Sequence, residues 1–118
     1  MTGFPSPADE YGIVSLSLHE LLIPRPTSTF FVRVVEDLAP NIRQQDVLIV
    51  DRSLTPQHGS LVLVVLQGQF CLRRYQVYEG APWLVALTAG TKAVKLNSED
   101  DTTLWGVVAH VIHKTLVA

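Results

Sequence analysis

The side chains that could carry nucleophilic or general-base chemistry are few. The candidates weighed are Ser53, Ser60 and Ser98, Cys71, four histidines (His19, His58, His110, His113) and three lysines (Lys92, Lys95, Lys114). A serine or thiol attacks a carbonyl only with a base in hydrogen-bond reach, a neutral imidazole or a lysine whose ammonium has been desolvated. Ser53 and Ser98 stand in turn-like contexts and Ser60 opens a strand. Their expected role is to bond neighbouring backbone, and the lysines are expected to be solvated surface charges. A relocated Ser-Lys pair is therefore the weakest of the functional readings. Cys71 shares a strand face with Arg73, whose guanidinium could lower a thiol pKa. The expectation is nevertheless a partly buried cysteine packed as a small apolar residue. His110 and His113 are three apart on a strand-like run and face opposite sides, a poor metal pair. One cysteine allows neither an internal disulfide nor a CxxC site. No metal and no cofactor is expected.

The elements that must position these groups are mostly strands. Ser17-Leu18-His19-Glu20 has the form of a capping box, with hydroxyl and carboxylate satisfying free N–H groups at a helix start. Pro24 and Pro26 keep that helix short. Thr29 to Val35 is rich in aromatic and β-branched residues and predicts a strand. Asp37 to Gln45 reads as a loop turning at Pro40-Asn41, and Val47 to Val50 as a buried strand. Leu61–Leu66 and Gln69–Val77 flank Gln67-Gly68 as the arms of a hairpin, although Asn-Gly would be the stronger turn signal. Trp83–Thr88 and Val94–Leu96 are weaker strands, and Thr103 to Val117 is a long β-branched run. The fold class is mostly β with one short N-terminal helix. Residues 1–11, with two prolines and a glycine, are expected to form a mobile arm, and 12–118 one domain.

Bulk properties exclude several functions. The chain has 118 residues, 9 basic and 11 acidic, for a formal charge of −2. Its largest basic cluster is the pair Arg73–Arg74. Sequence-independent DNA binding needs a basic face to displace counterions, so direct nucleic-acid binding is not expected. No apolar run approaches the roughly 20 residues of a membrane helix, and no signal segment opens the chain, so the expected location is the cytoplasm, with no membrane partner. Apolar residues reach 47% and charged residues only 17%. That apolar surplus in so small a domain means either a well-filled core or, the favoured reading, a subunit interface.

An ordered set of motifs covers nearly the whole chain. It comprises Gly3-Phe4-Pro5-Ser6-Pro7-Ala8, then Leu21-Leu22-Ile23 followed by Thr29-Phe30-Phe31-Val32-Arg33, then Asp46-Val47-Leu48-Ile49-Val50-Asp51. His58-Gly59, Phe70-Cys71-Leu72-Arg73-Arg74, Ser98-Glu99-Asp100 and Trp105-Gly106-Val107-Val108-Ala109-His110-Val111 follow. In order and spacing the set resembles the LexA/UmuD peptidase superfamily, and the processed form of UmuD-like proteins in particular. The resemblance implies the superfamily's C-terminal peptidase-like fold, of the β-clip type.

These peptidases cleave themselves with a serine nucleophile and a lysine base. The serine follows the first long strand in a G-D-S-M run; the matching run here is Glu36-Asp37-Leu38-Ala39, so the resemblance puts Leu38 at the nucleophile position. The loop beyond it is about two residues shorter than the family's pattern. The base stands in a V-K-[KR]-L-like run, matched by Leu72-Arg73-Arg74-Tyr75, which puts Arg73 at the lysine position. Leucine offers no attacking atom, and a guanidinium stays protonated in proteins. The expectation is a degenerate peptidase with no catalytic residue. Arg73 is expected either to pair with Asp37 or Glu36 or to hold its head in water.

UmuD-type proteins carry an N-terminal arm that is removed when RecA filaments stimulate self-cleavage. The start Met1-Thr2-Gly3 suggests a chain already in the processed state. What the resemblance implies is a homodimer, or a heterodimer with a UmuD-like protein, serving a UmuC-like Y-family polymerase in translesion synthesis during the SOS response. A second reading is a decoy that binds RecA or a LexA-like repressor. The subunit contact is expected on the C-terminal strand around Val111, Ile112 and His113, taken as an exposed sheet edge.

Overall fold

The computed structural model describes residues 15–88, 90, 93–96 and 102–115. The expected arm lies outside them, as do Lys92 and Ser98. A short helix, α1 (Leu18–Leu22), is followed by a 3₁₀ turn (Pro26–Ser28) and by β1 (Thr29–Arg33), β2 (Val47–Asp51), β3 (Leu61–Leu66), β4 (Gln69–Tyr78), β5 (Ala81–Val85), β6 (Val94–Lys95) and β7 (Thr102–Ile112). Half of the capping box forms: Ser17 Oγ accepts the Glu20 N–H at 3.3 Å. None of the helical residues is buried.

Among the described residues the strands make one antiparallel sheet in the order β1-β2-β7-β3-β4-β5-β6. The class expected from the sequence is thus met. Gln67 and Gly68 both have positive φ, 51° and 80°, as a two-residue type I′ hairpin requires. Glu79 and Gly80, at 50° and 75°, repeat the device between β4 and β5. That second turn moves β5 forward to Ala81–Val85, ahead of the expected Trp83–Thr88.

The C-terminal strand refines the sequence reading. β7 lies inside the strand order, whose outer positions belong to β1 and β6, yet among the described residues its last part keeps the free edge expected around Val111 and Ile112. It serves two neighbours in succession. Thr102–Val107 pairs with β3, while Val107–Ile112 pairs with β2 through the opposite edge. A register shift interrupts each ladder, one beside Trp105 and one beside Ala109. Such bulges bend a strand and re-aim its side chains, which lets one long strand join two smaller sheets. The segment Val108–Ile112 therefore has a strand on one side only among the described residues.

Two apolar clusters flank the sheet. One holds Val34, Ile42, Leu48, Val50, Leu63 and Leu72; the other holds Val62, Val64, Leu84 and Val107. β2 and β3 read as continuous apolar runs because both of their faces are covered. No helix among the described residues is long and apolar enough to cross a membrane.

Candidate functional site

The two positions singled out by resemblance meet in one place. Leu38 and Arg73 line the same open groove, about 540 Å³ in volume, with Val32, Val35, Phe70 and Leu87 among its apolar walls. That size lies in the range of small-ligand and short-peptide sites.

The loop carrying Leu38 is pinned along its length. At its base the Val34 N–H donates to the Asp46 carbonyl at 2.9 Å and the Gln45 N–H to the Val34 carbonyl at 2.8 Å. Further out, Ala39-Pro40-Asn41-Ile42 closes as a β-turn, the Ile42 N–H donating to the Ala39 carbonyl at 3.1 Å with proline at the second position. The Leu38 N–H donates back to the Ile42 carbonyl at 2.9 Å. Ile42 is buried beneath the turn, and Leu38 packs half-buried against the cluster containing Leu48, Leu63 and Leu72. Carboxylates supply the remaining ties: Asp37 accepts the Gln44 N–H at 3.0 Å, and the buried Asp46 accepts the Arg43 N–H at 2.9 Å. The backbone and the leucine side chain thus fix each other.

Arg73 does not form the expected pair with Asp37 or Glu36 among the described residues. It meets no carboxylate among the described residues; the ion pairs there are Arg25–Asp51 and His113–Asp46. Instead its Nη1 donates to the Leu72 carbonyl at 2.7 Å, part-buried in the groove wall. Asp37 accepts the Gln44 amide instead of Arg73.

The remaining candidates separate. Cys71 also lines the groove, and its Sγ lies 3.9 Å from the Gln69 carbonyl. His58 does not join it: its Nδ1 accepts the Val77 N–H at 3.0 Å and fastens the turn before β3. Ser60 Oγ accepts the Gln57 N–H at 2.9 Å. Ser53 Oγ donates to Asp51 at 2.6 Å. His113 lies just past the end of β7, 3.5 Å from Asp46. Val111 and Ile112 are 37% and 43% exposed, large fractions for apolar residues paired to a buried strand. No group of three or more His, Cys, Asp or Glu side chains among the described residues could hold a metal.

Two arrangements were not anticipated from the sequence. Asp51, 2% exposed, accepts the Ser53 N–H and hydroxyl and the Ser28 hydroxyl on one oxygen and Arg25 Nε on the other. Burial pushes its carboxyl pKa up, but the bonds from Ser53, Ser28 and Arg25 outweigh burial and hold it well below the usual carboxylate range. The charged residue ending an apolar β2 was the available signal. The second arrangement centres on Trp105, whose ring meets Phe30 and Phe70 edge to face and carries the Arg52 guanidinium 4.3 Å above it. Its members come from four separate stretches, so no local pattern announced it.

Comparison with known proteins agrees with this architecture. The family model described as Peptidase S24-like matches residues 1–109. MucA of Salmonella typhimurium is 36% identical over 113 residues, which cover 92% of this chain and 75% of MucA. ImpA of Shigella flexneri is 36% identical over 115 residues, 96% of this chain and 78% of ImpA. SamA of Salmonella typhimurium is 33% identical over 115 residues, 96% of this chain and 79% of SamA. With the family model spanning most of the chain and these relatives aligned along nearly all of it, the chain belongs to the Peptidase S24-like family, among its UmuD-type members.

Proposed function

We propose that this chain is a non-catalytic UmuD-type subunit that supports error-prone translesion synthesis in the SOS response, acting through dimerisation and polymerase binding. The observation that carries the non-catalytic reading is the shared groove of Leu38 and Arg73. If those are the nucleophile and base positions, the groove has the walls of a peptidase site without its reacting atoms. A leucine cannot attack, and an arginine cannot accept a proton at neutral pH. Loss of either member of such a pair is severe by itself. The serines elsewhere support the same view, since Ser53 is engaged by Asp51 and Ser60 by the Gln57 amide. The groove remains open, which favours capture of a peptide without cleavage.

Dimerisation is supported by Val108–Ile112, whose one edge without a strand among the described residues and exposed Val111 and Ile112 suit strand-to-strand pairing with a second subunit. The partner is a second copy or a UmuD-like protein, and the client a UmuC-like polymerase. No separate feature favours the decoy reading over this one. The test combines two measurements. Incubated with RecA filaments and a UmuD-type substrate, the protein leaves the substrate intact; cleavage would revive a working active site. In pull-downs from DNA-damaged cells it brings down a Y-family polymerase; recovery of only a repressor or RecA would replace this reading with the decoy.

A further inference from the structure

Arg73 sets a permanent positive charge into the wall of an apolar groove. Its Nη1 donates to the Leu72 carbonyl at 2.7 Å, which holds the side chain back against its own strand. A guanidinium carries five N–H donors in a rigid fork and keeps its charge at neutral pH. One backbone carbonyl satisfies a small part of it, and among the described residues it meets no carboxylate. A half-buried charge in this condition carries a desolvation cost that an anion bound beside it would offset.

The rest of the groove sets what that anion is attached to. Val32, Leu38, Phe70 and Leu87 present hydrocarbon to the same space. Leu38 is held there, because its loop is tied to Ile42 and its side chain packs on the core. The groove's own carboxylates, Glu36 and Asp37, are exposed to solvent, where water and salt screen them from an anion at Arg73. Its second cation, Arg33, is also exposed and donates to the Gln45 carbonyl and side-chain oxygen at 3.2 and 3.3 Å. A volume of about 540 Å³ suits a ligand of a few residues, the end of a chain more than a long stretch passing through. At a chain end the carboxylate is attached directly to the backbone beside the last side chain, so that fork and apolar wall are engaged together.

We propose that the groove binds the free C-terminus of an apolar peptide, a proposal that rests on the groove capturing peptide without cutting it. The terminal carboxylate pairs with Arg73 and the last side chains lie on Leu38 and Leu87. Arginine suits this position better than lysine does, because its fork meets a carboxylate in two parallel bonds.

The test uses the full chain and one acetylated peptide, Ala-Val-Leu-Ala, as the free acid and as the C-terminal amide. Each is titrated into isotope-enriched protein and followed by NMR at the Arg73 Nε–H and the Leu87 amide. The acid is expected to bind at least tenfold more tightly than the amide, about 1.4 kcal/mol. Arg73→Gln, followed at Leu87, is expected to abolish the difference. Equal affinity for acid and amide in the native chain overturns the proposal without any variant, as does failure of both to bind at millimolar concentration. A preference that survives in Arg73→Gln overturns it too, and assigns the carboxylate to Arg33. If amidated Ala-Val-Glu-Ala binds as tightly as the free acid, an internal acidic side chain replaces the chain end as the ligand. Mass spectrometry of the same samples separates the two readings. Uncut peptide bound without regard to its terminus sinks this proposal alone, whereas cleaved peptide sinks the non-cutting groove and this proposal with it.

Discussion

Gly106 lies so close to Val50 that a β-carbon added to it would sit 2.6 Å from Val50 Cγ1, with Arg52 Cγ at 3.3 Å. Val50 is fully buried between its neighbours and belongs to the cluster against which Leu38 packs. Gly106→Ala must therefore displace a core side chain or shift β7. The expected cost is about 1–3 kcal/mol, the usual range for overpacking a filled core, read as a lower urea midpoint with an unchanged slope. A variant as stable as the parent would show that the sheet yields here.

Asp51 sets an acid limit on stability. Its carboxyl is held below the usual range in the folded state, so the unfolded chain binds the proton first as pH falls. The resulting stabilisation is fully present above the ordinary aspartate pKa of about 3.9 and is lost progressively below it. Asp51→Asn removes this component along with its charge-assisted bonds, at a cost of about 2 kcal/mol near neutrality. Urea titrations from pH 7 down to pH 2.5 should show a smaller acid loss in the variant. Parallel curves would mean another carboxylate governs that range. The Arg25 partner is 48% exposed and contributes little of this, about 1 kcal/mol or less.

Restoring one chemical group to the groove should not restore cutting. Leu38→Ser supplies a hydroxyl without a base, and Arg73→Lys an amine without a nucleophile. Both single variants are expected to leave a UmuD-type substrate uncut on RecA filaments, as judged by gel. The double variant is the informative one. Cleavage by it alone would identify Leu38 and Arg73 as the two catalytic positions; cleavage by the parent would remove the proposal.

Ile112→Asp puts a charge on the half of β7 that, among the described residues, pairs with β2 alone. Ile112 is 43% exposed, so the folded subunit should tolerate the change while the dimer should not. The expected dissociation constant rises at least tenfold, about 1.4 kcal/mol, in sedimentation across a micromolar series. An unchanged constant would move the interface elsewhere, and a parent protein that is monomeric at tens of micromolar would count against dimerisation itself.

Strand positions, the hairpin at Gln67-Gly68 and the turn at Pro40-Asn41 were legible in the sequence because each depends on neighbours a few residues apart. Alternation follows from the pleat, and a turn from the φ values its own residues can adopt. The chemistry of Leu38 and Arg73 was legible for the same reason: what a side chain can donate or attack with is intrinsic to it. Only the tertiary structure decided that these two residues share a groove, that Asp37 accepts the Gln44 amide while Arg73 donates to the Leu72 carbonyl, and that β7 is inserted between β2 and β3. Long-range pairing leaves no local trace, so a β-branched run at the end of a chain reads the same at the edge of a sheet as inside it. The bulges beside Trp105 and Ala109 are likewise settled by two partners at once, and with them which face each side chain of β7 presents.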